Sequence, residues 1–177
     1  DMSISTLDLD IGTSVSFDPN GSSFFALVDS QYSLSDGVPT QSFTRDVNIV
    51  SFSSEGSEGL IKSIGTNQDD FSVVIENITN SDVTVVGGYT EGEFEESQKK
   101  GVSGIDAFIS TFIQGEEDSV TTLQFGTEGN DKVIDVESVS ENKFLVLWSE
   151  DHTDESGLLT YRVSAFSSEG KMLSKEP

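Results

Sequence analysis

The side chains of this chain that could do chemistry are mainly carboxylates. Residues 150–157 read EDHTDESG and place five ionisable side chains in one segment. Ca²⁺ prefers oxygen ligands of this kind, and like charges this close repel one another unless a counter-ion is present. We therefore predict Asp151, Asp154 and Glu155 as candidate calcium ligands. The alternative is an acidic loop that is simply solvated.

Other acidic stretches offer weaker versions of a cation site. Asp8 and Asp10, followed by Gly12, resemble the start of a calcium loop. However, Leu9 and Ile11 alternate with them, which favours a strand with one wet face, and the closing glutamate of a calcium loop is missing. Asp69-Asp70 and the acidic run 116–118 carry still less of the pattern.

Catalytic constellations are not indicated. The single histidine, His152, lies in a hydrophilic segment, and no serine has a nucleophile-elbow sequence around it. The lack of cysteine excludes disulfides, thiol catalysis and cysteine-bound zinc. With 32 acidic residues, paired carboxylates arise by chance, and none lies in an unusually apolar setting. The sequence predicts a protein that is not an enzyme and requires no cofactor, and Ca²⁺ is the one ion for which it offers ligands.

The amino-acid composition indicates what the protein can bind and the environment in which it acts. The 177 residues include nine basic and 32 acidic side chains, which gives a net charge of -23. Nucleic-acid binding needs the opposite sign. Strong acidity suits an extracellular or salt-exposed protein, or simply a well-solvated one. The chain begins at Asp1, so we expect a mature chain or a piece of a longer one, and no apolar run reaches the roughly 18 residues that predict a membrane span.

Two Asn-x-Ser/Thr sequons begin at Asn20 and Asn77. If the source glycosylates secreted chains, these turns are predicted to be accessible attachment sites. The alternative is that asparagine stands there as a turn residue.

The elements that position these residues recur along the chain. A β-type run ending in phenylalanine occurs at 46–52, 106–112 and 161–166, with its last phenylalanine at Phe52, Phe112 and Phe166. A Gly-Thr pair follows the first two copies, and Asp70 or Asp131 comes four residues after its threonine. Period-2 alternation is frequent and helical spacing is absent. A self-similar period near 60 indicates a repeat architecture.

Each period contains four predicted strands, so the expected fold is all-β, built of antiparallel four-stranded units. We place the repeats at 1–21 (partial), 22–80, 81–141 and 142–177 (partial), which makes about three periods cut out of phase. Within each period one connection is long, at 29–44, 88–105 and 150–159. Such connections are expected on one rim of the scaffold, where partners bind.

The second copy carries a recognisable motif. Residues 85–94 read VVGGYTEGEF, Gly104 precedes DAFI at 106–109, and FGT at 125–127 precedes Asp131. This pattern resembles the bacterial β-propeller repeats of the SBBP type, well over 81–131 and recognisably over 46–75. The resemblance implies four-stranded propeller blades, as an open arc or a fragment, in a secreted or surface-attached protein without enzymatic activity. A β-trefoil is the alternative fold.

The recurrent residues are best explained structurally. Gly87 and Gly88 should lie where neighbouring groups approach the strand too closely for a side chain. Asp70 and Asp131 should accept hydrogen bonds from turn amides, and the three recurrent phenylalanines should lie in the core between blades.

The function that we predict is a non-enzymatic extracellular structural or interaction module of a surface, adhesive or filament-associated protein. Its partners would be other proteins or further copies of the repeat. The alternative is a carbohydrate-binding or carbohydrate-cleaving propeller. That function needs exposed aromatics, for which Trp148, Tyr89 and Tyr32 are the main candidates, although Trp148 lies in an apolar strand and is expected in the core.

Overall fold

The computed structural model describes residues 11–17, 23–33, 40–55, 57–94, 104–116, 119–151 and 158–175. Across these ranges the chain forms twelve β-strands and no helix, so no helix there could cross a membrane. The strands are β1 Ile11–Phe17, β2 Ser23–Ser33, β3 Thr40–Ser53, β4 Glu58–Ile64, β5 Asp70–Asn77, β6 Val83–Thr90, β7 Asp106–Ile113, β8 Thr121–Phe125, β9 Asn130–Ser140, β10 Lys143–Asp151, β11 Leu159–Ser167 and β12 Met172–Lys175.

The strands form three antiparallel four-stranded sheets: sheet 1 (β1–β4), sheet 2 (β5–β8) and sheet 3 (β9–β12). In each sheet every strand pairs with its neighbour in the chain, which makes a meander. The prediction of an all-β fold with four antiparallel strands per period is therefore confirmed.

The sheet boundaries differ from the predicted repeat boundaries. The sheets span residues 11–64, 70–125 and 130–175, so the boundaries predicted after residues 21, 80 and 141 each fall between the first and second strands of a sheet. The described part of the chain is thus three whole sheets of consecutive strands, without a sheet completed from both chain ends. A periodic pattern can be divided at any point along its period, and only hydrogen-bonded pairing shows where one sheet ends.

A β-bulge recurs at the same place in the first strand of each sheet. The extra residue is Thr13 in β1, Val73 in β5 and Ile134 in β9. A bulge bends its strand and increases the local twist. Its recurrence at intervals of 60 and 61 residues shows that the three sheets repeat in backbone detail as well as in strand count.

The sheets pack face to face, with their first strands side by side. Hydrogen bonds join Thr13 Oγ1 to Ser72 Oγ (2.5 Å) and Asn77 Nδ2 to Ser16 Oγ (3.1 Å). The numbering therefore rises together along β1 and β5, and these two strands run parallel. The amide of Thr79 likewise donates to Ser138 Oγ at 2.8 Å, which places the end of β5 beside β9.

Each junction between sheets contains an apolar cluster. Phe112 belongs to the cluster between sheets 1 and 2 and Phe166 to that between sheets 2 and 3, while Phe52 is buried in sheet 1. The predicted position in a core between units is confirmed for Phe112 and Phe166, whereas Phe52 is buried but belongs to neither cluster. Burial of a phenylalanine of this kind contributes roughly 1.5–3 kcal/mol.

Gly87 and Gly88 lie where β6 is approached most closely, as predicted. A Cβ built on Gly88 would lie 2.1 Å from the carbonyl oxygen of Phe71, and one on Gly87 would lie 2.6 Å from Val133 of sheet 3. A larger residue at either position would push the strand off its neighbours. These glycines therefore maintain the contacts within sheet 2 and between sheets 2 and 3.

Candidate functional site

The three long connections between strands begin and end at one edge of the molecule. Because β1, β5 and β9 begin at this edge, the segments between second and third strands begin and end there, at Ser33 and Thr40, at Thr90 and Asp106, and at Asp151 and Leu159. The short links 65–69 and 126–129 between sheets lie at the same edge. We call this edge the long-loop rim. The three connections occur in the predicted order, but the strands extend into the predicted ranges, most of all at 29–44, where β2 runs to Ser33 and β3 begins at Thr40.

Two links at the rim have the same hydrogen-bonded turn. The amide of Thr66 donates to Asp70 Oδ2 at 2.6 Å, and the amide of Thr127 donates to Asp131 Oδ2 at 2.5 Å. Each threonine hydroxyl also donates to its aspartate at 3.1 Å and accepts from the amide two residues on. The prediction that Asp70 and Asp131 accept hydrogen bonds from turn amides is confirmed.

A second carboxylate, the half-buried Asp46, lies beside the first of these turns. A Cβ built on Gly65 would lie 2.4 Å from Asp46 Oδ1, so this β3 side chain fills the space that the glycine leaves. Burial raises the pKa of both Asp46 and Asp70 from 3.8 to about 6, and the neighbouring Asp69 adds to the rise at Asp46. These carboxyls therefore bind protons more tightly than surface carboxyls do.

Gln124 anchors the start of the long segment after β6. Its Nε2 donates to the carbonyl of Gly92 at 2.9 Å and to Asp106 Oδ2 at 2.8 Å, and its Oε1 accepts from the amide of Phe94 at 3.1 Å. The Phe94 ring packs edge-on against Phe108, with centroids 5.2 Å apart. One buried amide side chain thus holds the outgoing stem against β7 and β8.

The returning stem of that segment is anchored on sheet 3. The amide of Ile105 donates to Asn130 Oδ1 at 3.2 Å, and the amide of Asp131 donates to the carbonyl of Ile105 at 2.7 Å. Both ends of the segment 95–103 therefore leave from fixed positions on the rim.

A stack of rings and cations crosses all three sheets near the rim. The Arg45 guanidinium of sheet 1 lies 5.0 Å from the Phe71 ring, which stacks on Tyr89 with centroids 4.8 Å apart. Lys132 of sheet 3 lies 4.3 Å from the Tyr89 ring on the other side. Cation–π contacts contribute about 0.5–2 kcal/mol each. This stack ties the sheets together and was not predicted, because its members are scattered over 88 residues of sequence.

Asp29 is the buried acid beside this stack. It accepts from the amide and the hydroxyl of Ser72 on sheet 2, with its Oδ1 at 3.0 and 2.5 Å. Burial raises the pKa of Asp29 above its ordinary value, although the hydrogen bonds from Ser72 and the charge of Arg45 oppose the shift. Burial and the Asp29 charge in turn raise the pKa of Tyr89.

Of the predicted calcium ligands, Asp151 ends β10 and is half-buried, opposite Asn130 and Leu159. Asp154 and Glu155 lie outside the described residues, as do Asp8 and Asp10. The neighbouring Glu150 is buried and accepts a charge-assisted bond from Arg162 Nε at 2.5 Å. Within the described ranges no three acidic or histidine side chains are grouped to hold a metal, and calcium binding at 150–157 stays a prediction.

One of the two predicted attachment sites, Asn77, lies within the described residues. Asn77 is buried, and its Nδ2 donates to Ser16 Oγ and at 2.7 Å to the Phe17 carbonyl, while its Oδ1 accepts from Thr84 and Gln114. A glycan on Nδ2 would have to displace these contacts between sheets 1 and 2. Asn20 lies outside the described residues.

Two of the three aromatic candidates for sugar binding, Trp148 and Tyr89, make contacts within the chain. Trp148 is buried, as expected, and its Nε1 donates to Ser164 Oγ at 3.1 Å. Tyr89 lies within the stack described above, and the side chain of Tyr32 is outside the described set. Tyr161 of β11 is exposed, and it was not among the candidates; its place in the repeat corresponds to the buried Ala107, so the alignment gave no sign of its exposure.

Comparisons with known proteins found no match to any protein-family model and no match among the curated proteins. The resemblance to SBBP-type repeats therefore stays a prediction that rests on the motif itself.

Proposed function

We propose that this chain is a non-enzymatic structural or interaction module, an arc of SBBP-type propeller blades that acts outside the cell or at the cell surface and binds protein partners through the long-loop rim. The observation that carries the proposal is the anchoring of the rim segment 95–103 at both ends by hydrogen bonds, of Gln124 with the outgoing stem and of Asn130 and Asp131 with the returning stem. A variable segment on rigid stems is how scaffold proteins present binding surfaces.

The blade assignment is supported by how the sheets are arranged. Three meanders stand face to face with their first strands adjacent, and each carries the same bulge. Radially repeated four-stranded sheets are the organisation of a propeller. A β-trefoil would close its repeats into a common barrel, whereas every hydrogen-bonded strand pair in the described ranges lies within one sheet.

The non-enzymatic assignment is supported by what the described acids do. Asp70 and Asp131 bind turn amides, Asp29 binds Ser72, and Glu150 pairs with Arg162. Each of these four carboxylates has a structural partner. The net charge of -23 and the lack of cysteine fit an acidic surface protein whose core needs no disulfide.

The test combines a loop replacement with an activity screen. Residues 95–103 are replaced by a Gly/Ser segment of the same length, and residues 54–57, on the opposite edge, are replaced likewise as a control. Retention on the purified surface fraction of the source cells should fall about tenfold or more for the rim variant alone. Thermal unfolding of both variants, measured beside the wild type, checks that a loss of retention is not a loss of fold.

Two results would overturn the proposal. One is retention that is unchanged in the rim variant, or that falls equally in the rim variant and the control. The other is turnover of any polysaccharide in a hydrolase panel run beside a glycan array, which would instead favour the carbohydrate-active alternative.

A further inference from the structure

Sheets 1 and 2 each pack one face on the next sheet. We call this face, and the equivalent face of sheet 3, the trailing face. Three pairs of residues occupy the same register positions on the trailing faces of sheets 1, 2 and 3: Val47 and Ile49, Ala107 and Ile109, and Tyr161 and Val163. The first two pairs are at most 2% exposed, whereas Tyr161 is 61% and Val163 is 48% exposed. The third sheet therefore has apolar residues at the same trailing positions as the other two, and within the described ranges no sheet lies upon them.

The opposite face of each sheet is its leading face. On the leading face of sheet 1, apolar residues of β1 are exposed. Val15 of β1, Ile75 of β5 and Val136 of β9 are equivalent in register. Ile75 and Val136 are 2% and 3% exposed because a preceding sheet covers them, but Val15 is 55% exposed. Phe17, two residues on, is 72% exposed and its ring lies 5.9 Å from that of Phe24.

We propose that a second copy of this chain docks head to tail, with its Val15 and Phe17 seated on Tyr161 and Val163. The molecule already contains this interface twice, since the first strand of sheet 2 covers sheet 1 and that of sheet 3 covers sheet 2.

The exposed part of the leading face of sheet 1 is β1, since Val50 and Phe52, in the same register rows as Val15 and Phe17, are 0% and 7% exposed. This exposed strand is the half-interface that the trailing face of sheet 3 lacks. Contacts between unlike patches either close into a ring or continue as a filament.

A ring of two copies would have a number of sheets within the range of known propellers. Two chains bring together six four-stranded sheets, counted as twice the three sheets of one chain, and propellers typically close with 4–8 blades. The inference goes beyond the proposed function, because it concerns the two ends of the sheet stack and not the rim. Its failure would leave the rim proposal standing.

Charge sets the condition under which docking occurs. The four side chains at the contact are uncharged, but each copy carries a net charge of -23, so the copies repel one another at long range. The screening length falls from about 30 Å at 0.01 M salt to about 3 Å at 1 M. An apolar contact between such chains should therefore strengthen as salt is raised, whereas one held by ion pairs would weaken.

The experiment is sedimentation of the full chain at low and high salt, with two substitutions that each spoil one face. Val15→Asp removes the leading face and Val163→Asp the trailing face. Both sites are exposed, so the fold should survive, and thermal unfolding checks that it does. The control is Val139→Asp, a 52% exposed valine at a bulge of β9 that lies outside both faces.

The wild type and the control should form dimers at about 1 M salt, and each single variant should dissociate at least tenfold more readily. A one-to-one mixture of Val15→Asp and Val163→Asp should form dimers again, because the mixture restores one intact contact. A wild type that stays monomeric at every salt concentration overturns the proposal. So does a Val15→Asp variant that dimerises alone, which would show that sheet 3 pairs with itself.

Discussion

The amide nitrogen of Thr66 lies 2.6 Å from Oδ2 of Asp70, and the same contact recurs between Thr127 and Asp131 at 2.5 Å. The aspartate also lies at the start of the first strand of the next sheet, as the first residue of β5 (Asp70) and the second residue of β9 (Asp131). One buried carboxylate thus closes the link between sheets and starts the new sheet at a fixed point.

Replacing Asp131 with alanine should lower the free energy of unfolding by about 2 kcal/mol, because the Thr127 amide loses its acceptor in a buried setting. Asp131→Asn keeps one acceptor oxygen and should lose about half as much. Urea unfolding measures both. Glu128→Ala is the matched control, since Glu128 is exposed in the same turn and its removal changes the net charge equally. Equal stability of Asp131→Ala and Glu128→Ala would contradict the structural role of this turn.

The raised pKa of Asp46 makes stability fall as pH rises. Its pKa is about 6 in the folded chain against an ordinary 3.8, so the folded state binds the proton more tightly between these values. Stability from this group is complete below about pH 4 and is lost as pH passes 6. Asp46→Asn should raise the free energy of unfolding at pH 7 by about 1 kcal/mol, less than the full linkage value because solvent screens a half-buried group.

Unfolding measured from pH 4 to 8 checks this expectation. The pH profile of Asp46→Asn should be flatter than that of the wild type. Asp82→Asn, an exposed aspartate with the same change in charge, should leave the profile unaltered. A steeper profile for Asp46→Asn would show that the carboxylate is stabilised in its charged form.

Gly88→Ala should destabilise sheet 2, because the new methyl group would meet the Phe71 carbonyl at 2.1 Å and the Phe108 ring at 2.8 Å. Overpacking of this kind costs about 1–3 kcal/mol. Gly12→Ala is the control, since nothing lies within 4 Å of a Cβ built there. Thermal unfolding should place Gly12→Ala at or above the wild type, and a stable Gly88→Ala would mean that the strands can separate at little cost.

Removal of calcium should leave stability unchanged. Asp29, Asp70, Asp131 and Glu150 are held by hydrogen bonds or an ion pair within the chain, so the described core does not depend on a cation. Thermal unfolding with EDTA and with CaCl₂, at matched ionic strength, measures this. A melting temperature that falls with EDTA and recovers with Ca²⁺, but not in Asp154→Asn, would establish the predicted site at 150–157.

The local signals of the sequence determined the class of fold. Alternating and β-branched runs predict strands wherever they occur, because period-2 patterning is a property of the strand itself. The Gly-Thr turn and the recurrent phenylalanines are also recognised from a few neighbouring residues. The roles of Asp70, Asp131 and Phe112 could therefore be predicted from the sequence.

Tertiary structure alone decided where the sheets begin and which repeats differ in environment. Asn77 belongs to a sequon like Asn20, yet it is buried because the Phe17 carbonyl lies beside it across a sheet junction. Arg45, Tyr89 and Lys132 meet through Phe71 only once three sheets are stacked. These contacts join residues up to 60 positions apart. A pattern of neighbouring residues therefore does not predict them.

The same reason explains the faces of the end sheets. Ile109 and Val163 both read as apolar strand residues and share one register position, but the first is buried and the second is exposed. Sequence determines that each of these positions is apolar. Whether another sheet covers it depends on the neighbours that the fold supplies.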